Sequence, residues 1–193
     1  MGEFIRPTIF DKLEEWLTYT FASPFYQRYV NRIELRGDER VLELGCLGGA
    51  LSRRLAYALA DGGSLLCVDI GKFWIDKARK RLRRFRNIDF KLGDVRTLDL
   101  APASYDAAVV HFVLHDIDQH DRQETINTLA RILVDGGRIY LREPTKESHG
   151  MSPAEIRELI AEAKLQEIRS QETRSRIAGP MFEAVYEKPF PSA

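Results

Sequence analysis

Cysteine is scarce in this chain: two in 193 residues, Cys46 and Cys67, each inside an apolar run (ELGCLGG and SLLCVDI). Two thiols in a chain of this length exclude a disulfide scaffold, and reduced buried thiols fit a cytoplasmic protein. Net charge is missing too, with 29 Lys and Arg against 29 Asp and Glu. No global field therefore draws the chain to nucleic acid or to an anionic membrane. The opening MGEFIRPTIF has no long apolar run, and nowhere does one approach the roughly 20 residues that span a bilayer. Repeats and low-complexity tracts are absent. What remains is 44% hydrophobic and 30% charged, the composition of a folded globular domain, and the length suits one core rather than two.

From residue 38 onward, short apolar runs alternate with longer amphipathic ones. The runs are RVLELG (40–45), SLLCVDI (64–70), IDFKLGD (88–94), YDAAVVHF (105–112) and GRIYLREP (137–144). All but the third are densely apolar rather than alternating, as in strands covered on both faces. Helical patterns lie between them at about 49–60, 72–86, 120–133 and 153–164. The last opens on Ser152-Pro153-Ala154-Glu155, an N-cap, a proline at the first helical position and a capping-box glutamate. Strand–helix alternation predicts a doubly wound, mostly parallel sheet with right-handed crossovers. Beyond residue 165, KLQEIRSQETR and PMFEAVYEKP read as two closing strands with no helix between them, hence an antiparallel edge.

Residues 1–38 differ. Ile9, Phe10, Leu13, Trp16 and Leu17 follow helical spacing, and eight of the nineteen aromatics lie within residues 4–29. They serve either to pack a helix onto the sheet edge or as an aromatic lid over a pocket, with Tyr19 and Tyr26 as substrate contacts. The predicted organisation is a cap segment, 1–38, on a single ligand-binding domain, 39–193.

The first predicted strand runs into Glu43-Leu44-Gly45-Cys46-Leu47-Gly48-Gly49 and then a helix. Ligands of open α/β sheets bind at the carboxyl ends of strands, where glycines admit close approach and a helix N-terminus offers free N–H groups. A dinucleotide site asks for G-x-G-x-x-G, and G-x-x-G-G is a poor match. A carboxylate ahead of the first glycine suits a ligand that carries an ammonium.

On these residues the chain, from about 38 to 187, resembles the class I S-adenosylmethionine-dependent methyltransferases. Glu43-x-Gly45-x-Leu47-x-Gly49 matches the family's acidic-plus-glycines loop, with Leu47 where the middle glycine stands. Asp69, closing the second strand, matches the acidic residue that holds the ribose hydroxyls, with Ile70 beside the adenine. Asp94 and Val95 match the adenine-contacting loop, YDAAVVH the fourth motif and RILVDGGRIYL the fifth. The resemblance implies a Rossmann-like seven-stranded sheet with an antiparallel C-terminal strand and an N-terminal helical lid. It also implies S-adenosylmethionine as cofactor, held by Glu43, Gly45, Cys46, Leu47, Gly49, Asp69, Ile70, Asp94, Val95 and the backbone near His111.

The implied reaction is in-line displacement of the sulfonium methyl by an acceptor nucleophile, the protein supplying position and exclusion of water. No Asn/Asp-Pro-Pro-aromatic motif follows the fourth strand, which disfavours methylation of DNA base amines. No cysteine lies past the sheet's carboxyl edge to act as a nucleophile. The eight Lys and Arg between 72 and 86 read as a solvated helix face rather than an RNA patch. The expected acceptor is a small molecule. The alternatives are a non-catalytic cofactor- or partner-binding protein, for which Leu47 is the sequence feature, and an RNA or protein methyltransferase. A nicotinamide-dependent reductase is disfavoured by the glycine spacing. The sequence assigns no oligomeric state.

Three of the four histidines crowd into HFVLHDIDQHD, at His111, His115 and His120. The resemblance places His111 at the end of the fourth strand and His115 with Asp116 in a loop that lines the substrate pocket. His115 is the candidate catalytic residue, as base or positioner, and Glu143, ending the fifth strand, a candidate substrate contact. His120 opens the next helix, with Asp118 or Asp121 as its cap. The three histidines share no helix face, and their spacing assigns no metal. His149, in KESHGMSP, is expected to be an idle loop residue.

Overall fold

A computed structural model describes residues 8, 9, 12, 13, 17, 19, 20, 23–175 and 178–191. They fall into two compact units, Met1–Thr97 and Leu98–Ala193.

The first unit holds α1 (Ser23–Ile33), β1 (Arg40–Leu44), α2 (Ala50–Ala58), β2 (Ser64–Asp69), α3 (Lys72–Leu82) and β3 (Ile88–Leu92). Its strands run parallel in the order β3-β2-β1, with Val41 opposite Leu65 and Leu65 opposite Ile88. Val41, Leu42, Leu65, Cys67 and Val68 are buried, as expected of runs with no polar alternation. β3 is the exception and forms a half-exposed edge. α3 buries Trp74, Ile75, Ala78 and Leu82, a single helical stripe. The basic residues lie off that stripe, and Lys72 pairs with Asp76 at 2.6 Å.

The second unit holds β4 (Tyr105–His111), a 3-10 turn (Leu114–Asp116), α4 (Gln119–Ile132), β5 (Leu133–Lys146), β6 (His149–Gly150), α5 (Pro153–Glu162), β7 (Gln166–Ser175) and β8 (Gly179–Glu187). β4 and β5 are parallel, while β8 is antiparallel to both β5 and β7, giving the order β4-β5-β8-β7. The antiparallel closing strands are thus observed. β7 presents QEIRSQETRS as an exposed, charged edge, which discourages pairing with other chains. The extra strand beyond the expected seven is β6, a two-residue return against Thr145 and Lys146.

Two capping details depart from expectation. Ser152 Oγ does accept from Glu155 N–H at 3.1 Å, but the Glu155 carboxylate turns to Arg122 at 2.5 Å instead of closing a capping box. Asp118 occupies the N-cap position of α4 with no side-chain cap bond.

In the N-terminal segment, residues 9, 12, 13, 17, 19 and 20 are helical, while the predicted helix residues Phe10 and Trp16 lie outside the described residues. Ile9, Leu13 and Leu17 are exposed, so the apolar side chains described here do not pack into the core. Tyr19 lies under the Arg81 guanidinium, 3.9 Å from the ring centroid. Tyr26 meets Phe25 edge-on. No helix among the described residues is long and apolar enough to cross a membrane.

Candidate active site

In the first unit the loop after β1 is shaped by left-handed backbone at Gly45 (φ 73°), Leu47 (φ 44°) and Gly49 (φ 83°). Gly45 N–H donates to Val68 O at 2.8 Å, and Leu47 N–H donates to Asp69 Oδ2 at 2.8 Å. The loop is thereby latched to the end of β2. Gly71 N–H takes the other Asp69 oxygen at 2.8 Å. A Cβ at Gly49 would stand 2.7 Å from Leu82 Cδ1 on backbone at φ 83°, so a larger residue there would be strained and would have to displace the Leu82 side chain. Leu47 itself takes left-handed backbone, and the residue is 39% exposed. The branched residue therefore leaves the loop uncrowded.

Glu43 is buried behind this loop, and Cys67 Sγ reaches its Oε2 at 3.5 Å. Burial drives its pKa from the ordinary 4.5 to about 7; Ser52 and Cys67 oppose the rise, and the Asp69 charge adds to it. Asp69 is raised as well, by burial, against the Gly71 and Leu47 N–H bonds. Among the described residues, no basic side chain pairs with either carboxylate. Two buried carboxylates without a cation, beside a glycine loop, fit a ligand that brings its own positive charge and hydroxyl groups. The cofactor that the resemblance implies, S-adenosylmethionine, has both.

Cys46 and Cys67 are free and buried, and burial pushes the Cys67 thiol well up, so it is no nucleophile. Ile70 is half-buried and Val95 buried. Asp94 is engaged by Arg96, Nη2 to Oδ2 at 2.6 Å. Burial raises the Asp94 pKa, but the Arg96 bonds outweigh it and the net shift is downward. The Asp-x-Arg spacing is the signal by which this pairing was findable.

In the second unit, His111 ends β4 with its ring buried. Arg142 Nη1 lies 3.4 Å from its Nε2, and burial, with the Arg142 charge, lowers its pKa to about 3. His111 is therefore neutral at physiological pH. Arg142 is itself buried and pairs with Glu183 at 2.6 Å; Gln171 Nε2 and Thr173 Oγ1 also donate to the Glu183 carboxylate, at 3.2 Å each. Nothing in the sequence around Glu183 signals this pair, because it forms only through the β5–β8 register.

Glu143, the candidate substrate contact, is fully buried. It accepts from Val113 N–H at 2.9 Å and Leu114 N–H at 2.8 Å, and His115 Nδ1 lies at 2.6 Å. It thus acts on the turn and on His115, not on solvent. Burial lowers the His115 pKa, but contact with Glu143 outweighs that and the net shift is upward. His149 is not idle: its ring packs on that of His115, centroids 4.7 Å apart at 84°. The sequence offered no signal for this contact. His120 is exposed, with its Nε2 3.5 Å from Asp121.

The parallel strands, the glycine loop and a buried carboxylate closing β2 define a Rossmann-like site for a nucleoside-bearing cofactor. Residues 41–137 match the model of the methyltransferase domain family. The chain belongs to that family, among the S-adenosylmethionine-dependent methyltransferases. It is 30% identical to the aklanonic acid methyltransferase DauC of Streptomyces sp. over 155 residues, 78% of this chain and 70% of that protein. It is 26% identical to the 2-phytyl-1,4-naphtoquinone methyltransferase of Thermosynechococcus vestitus over 136 residues, 70% of this chain and 59% of that one. With several other curated relatives the match spans about half of their length or less, 39% and 47% in two cases. The fold is shared with the N-methyltransferase NodS from Bradyrhizobium japonicum, at a TM-score of 0.71 and 20% identity over 96% of this chain and 91% of that one.

Proposed function

We propose that this chain transfers a methyl group from S-adenosylmethionine to a small-molecule acceptor. The observation that carries the reading is the latched loop, in which Leu47 N–H holds Asp69 while Glu43 lies buried behind it without a cation. The bound cofactor supplies a sulfonium-activated methyl group and a neutral thioether leaving group. Glu43 meets the cofactor's ammonium, and Asp69, with one acceptor position on each oxygen still open, takes the ribose hydroxyls. The glycines let the backbone approach, and Ile70 and Val95 flank the adenine with Asp94, whose charge Arg96 balances. His111, neutral, contributes its backbone. His115, with Nδ1 committed to Glu143, is the residue that serves the acceptor, and Glu143 is its positioning residue. Tyr19 and Tyr26 are proposed acceptor contacts from the cap segment, residues 1–38.

The named activities of relatives on a naphthoquinone and on aklanonic acid support a small-molecule class of acceptor. Two buried free thiols support a reducing compartment, the cytoplasm, as the site of action. Calorimetric titration with S-adenosylhomocysteine tests cofactor binding; the wild type is expected to bind, and Asp69→Ala to bind at least about tenfold more weakly, the worth of one or two charged hydrogen bonds. Labelled methyl groups from the cofactor should then appear in low-molecular-weight metabolites of a lysate. No binding at millimolar ligand would overturn the cofactor assignment, and label confined to RNA or protein would overturn the acceptor class.

A further inference from the structure

We infer that His115, Asp116 and His149 form a binding site for a divalent first-row transition ion, zinc foremost. The three side chains each offer one ligand atom, and these atoms lie within 4.8 Å of one another. His115 Nε2 is already 3.4 Å from Asp116 Oδ1. Donors at tetrahedral bond lengths of about 2.0–2.1 Å stand roughly 3.3–3.4 Å apart, so one ligand pair has that spacing and the remaining closure is at most about 1.5 Å. Side-chain rotation at the exposed His149 can supply it.

A second observation makes this more than a cluster. Glu143 holds His115 at Nδ1, 2.6 Å away, and is itself fixed by the Val113 and Leu114 N–H groups. With the Nδ1 proton directed to the Glu143 carboxylate, the Nε2 lone pair is left on the side of Asp116, whose Oδ1 is 3.4 Å away. A carboxylate behind a histidine is the arrangement that orients metal-ligating imidazoles and raises their basicity. Arg122 pairs with Glu155 and donates to the Ile117 and His115 carbonyls rather than to Asp116, although its charge still acts on His115, lowering its pKa.

Two imidazoles and one carboxylate select zinc, cobalt, nickel or ferrous iron over magnesium and calcium, which prefer all-oxygen shells. Three protein ligands, with His149 exposed, leave a fourth position open to solvent, as in catalytic rather than structural zinc sites. The ion would take His115 Nε2, and its open position is then what meets the acceptor. That last consequence rests on the methyl-transfer reading, whereas ion binding does not.

The test uses the whole chain, stripped with a chelator and titrated with Co(II) and with Zn(II) against a chromophoric zinc indicator. One ion per chain and a visible Co(II) absorption band are expected. His149→Ala, at an exposed position, should fold normally and lose at least about tenfold in zinc affinity, whereas His120→Ala should bind as the wild type does. Absence of stoichiometric binding, or equal affinity in wild type and His149→Ala, would overturn the site. S-adenosylhomocysteine binding, measured on the same stripped protein, reports separately on the methyl-transfer reading.

Discussion

Glu43 offers the most direct check on the cofactor loop. It is buried, and its pKa lies at about 7 instead of 4.5, chiefly through burial. A proton is therefore bound more tightly in the folded chain than in the unfolded one. Between pH 4.5 and 7 the folded state carries more protons, so stability falls as pH rises through that window and then levels off. The shift corresponds to about 3 kcal/mol at full development. Glu43→Gln removes the titration while keeping shape and hydrogen-bonding capacity. Urea unfolding at pH 5 and pH 8 should show the wild type losing stability on that rise, against Glu43→Gln at each pH, by a few kcal/mol. A ligand bringing a cation next to Glu43 would displace the proton, so S-adenosylhomocysteine should bind the wild type more tightly at pH 8 than at pH 6, with that dependence weakened in Glu43→Gln. Identical pH slopes for the two proteins would refute the account of a buried, uncompensated carboxylate.

Other expectations follow from single contacts. Glu183→Ala removes the buried carboxylate to which Arg142 Nη2 donates at 2.6 Å and should cost about 3–5 kcal/mol in chemical denaturation. Glu143→Ala orphans the Val113 and Leu114 N–H groups, at about 1–3 kcal/mol for each buried donor, and amide exchange at 113–115 should accelerate while that of β2 stays as it is. Leu47→Gly should be nearly neutral in thermal unfolding, within about 1 kcal/mol, because relief of the left-handed backbone is offset by the freedom glycine gains on unfolding.

Much of the first unit was legible in the linear chain. Burial of whole strands leaves a local record: Val41-Leu42 and Leu65-Leu66 face protein on both sides, so no polar residue interrupts them. The loop left its record in Glu43, Gly45 and Gly49, since backbone that must turn left-handed selects glycine. Even there Leu47 read as a departure, and only the folded backbone, with the residue exposed, showed that the departure is accommodated.

What the sequence by itself determined is the order of strands and helices, the place of the glycine loop and the acidic residue closing β2. Each depends on periodicity and turn chemistry within a few residues. Tertiary structure alone decided the partners of the charged and aromatic groups. Arg142 finds Glu183 through antiparallel register, and Glu143 reaches back to His115 across parallel β4 and β5. His149 reaches His115 because the two-residue strand β6 folds back on the end of β5. A side chain's chemistry is set by the groups within a few ångströms of it, and those come from segments that local spacing does not relate.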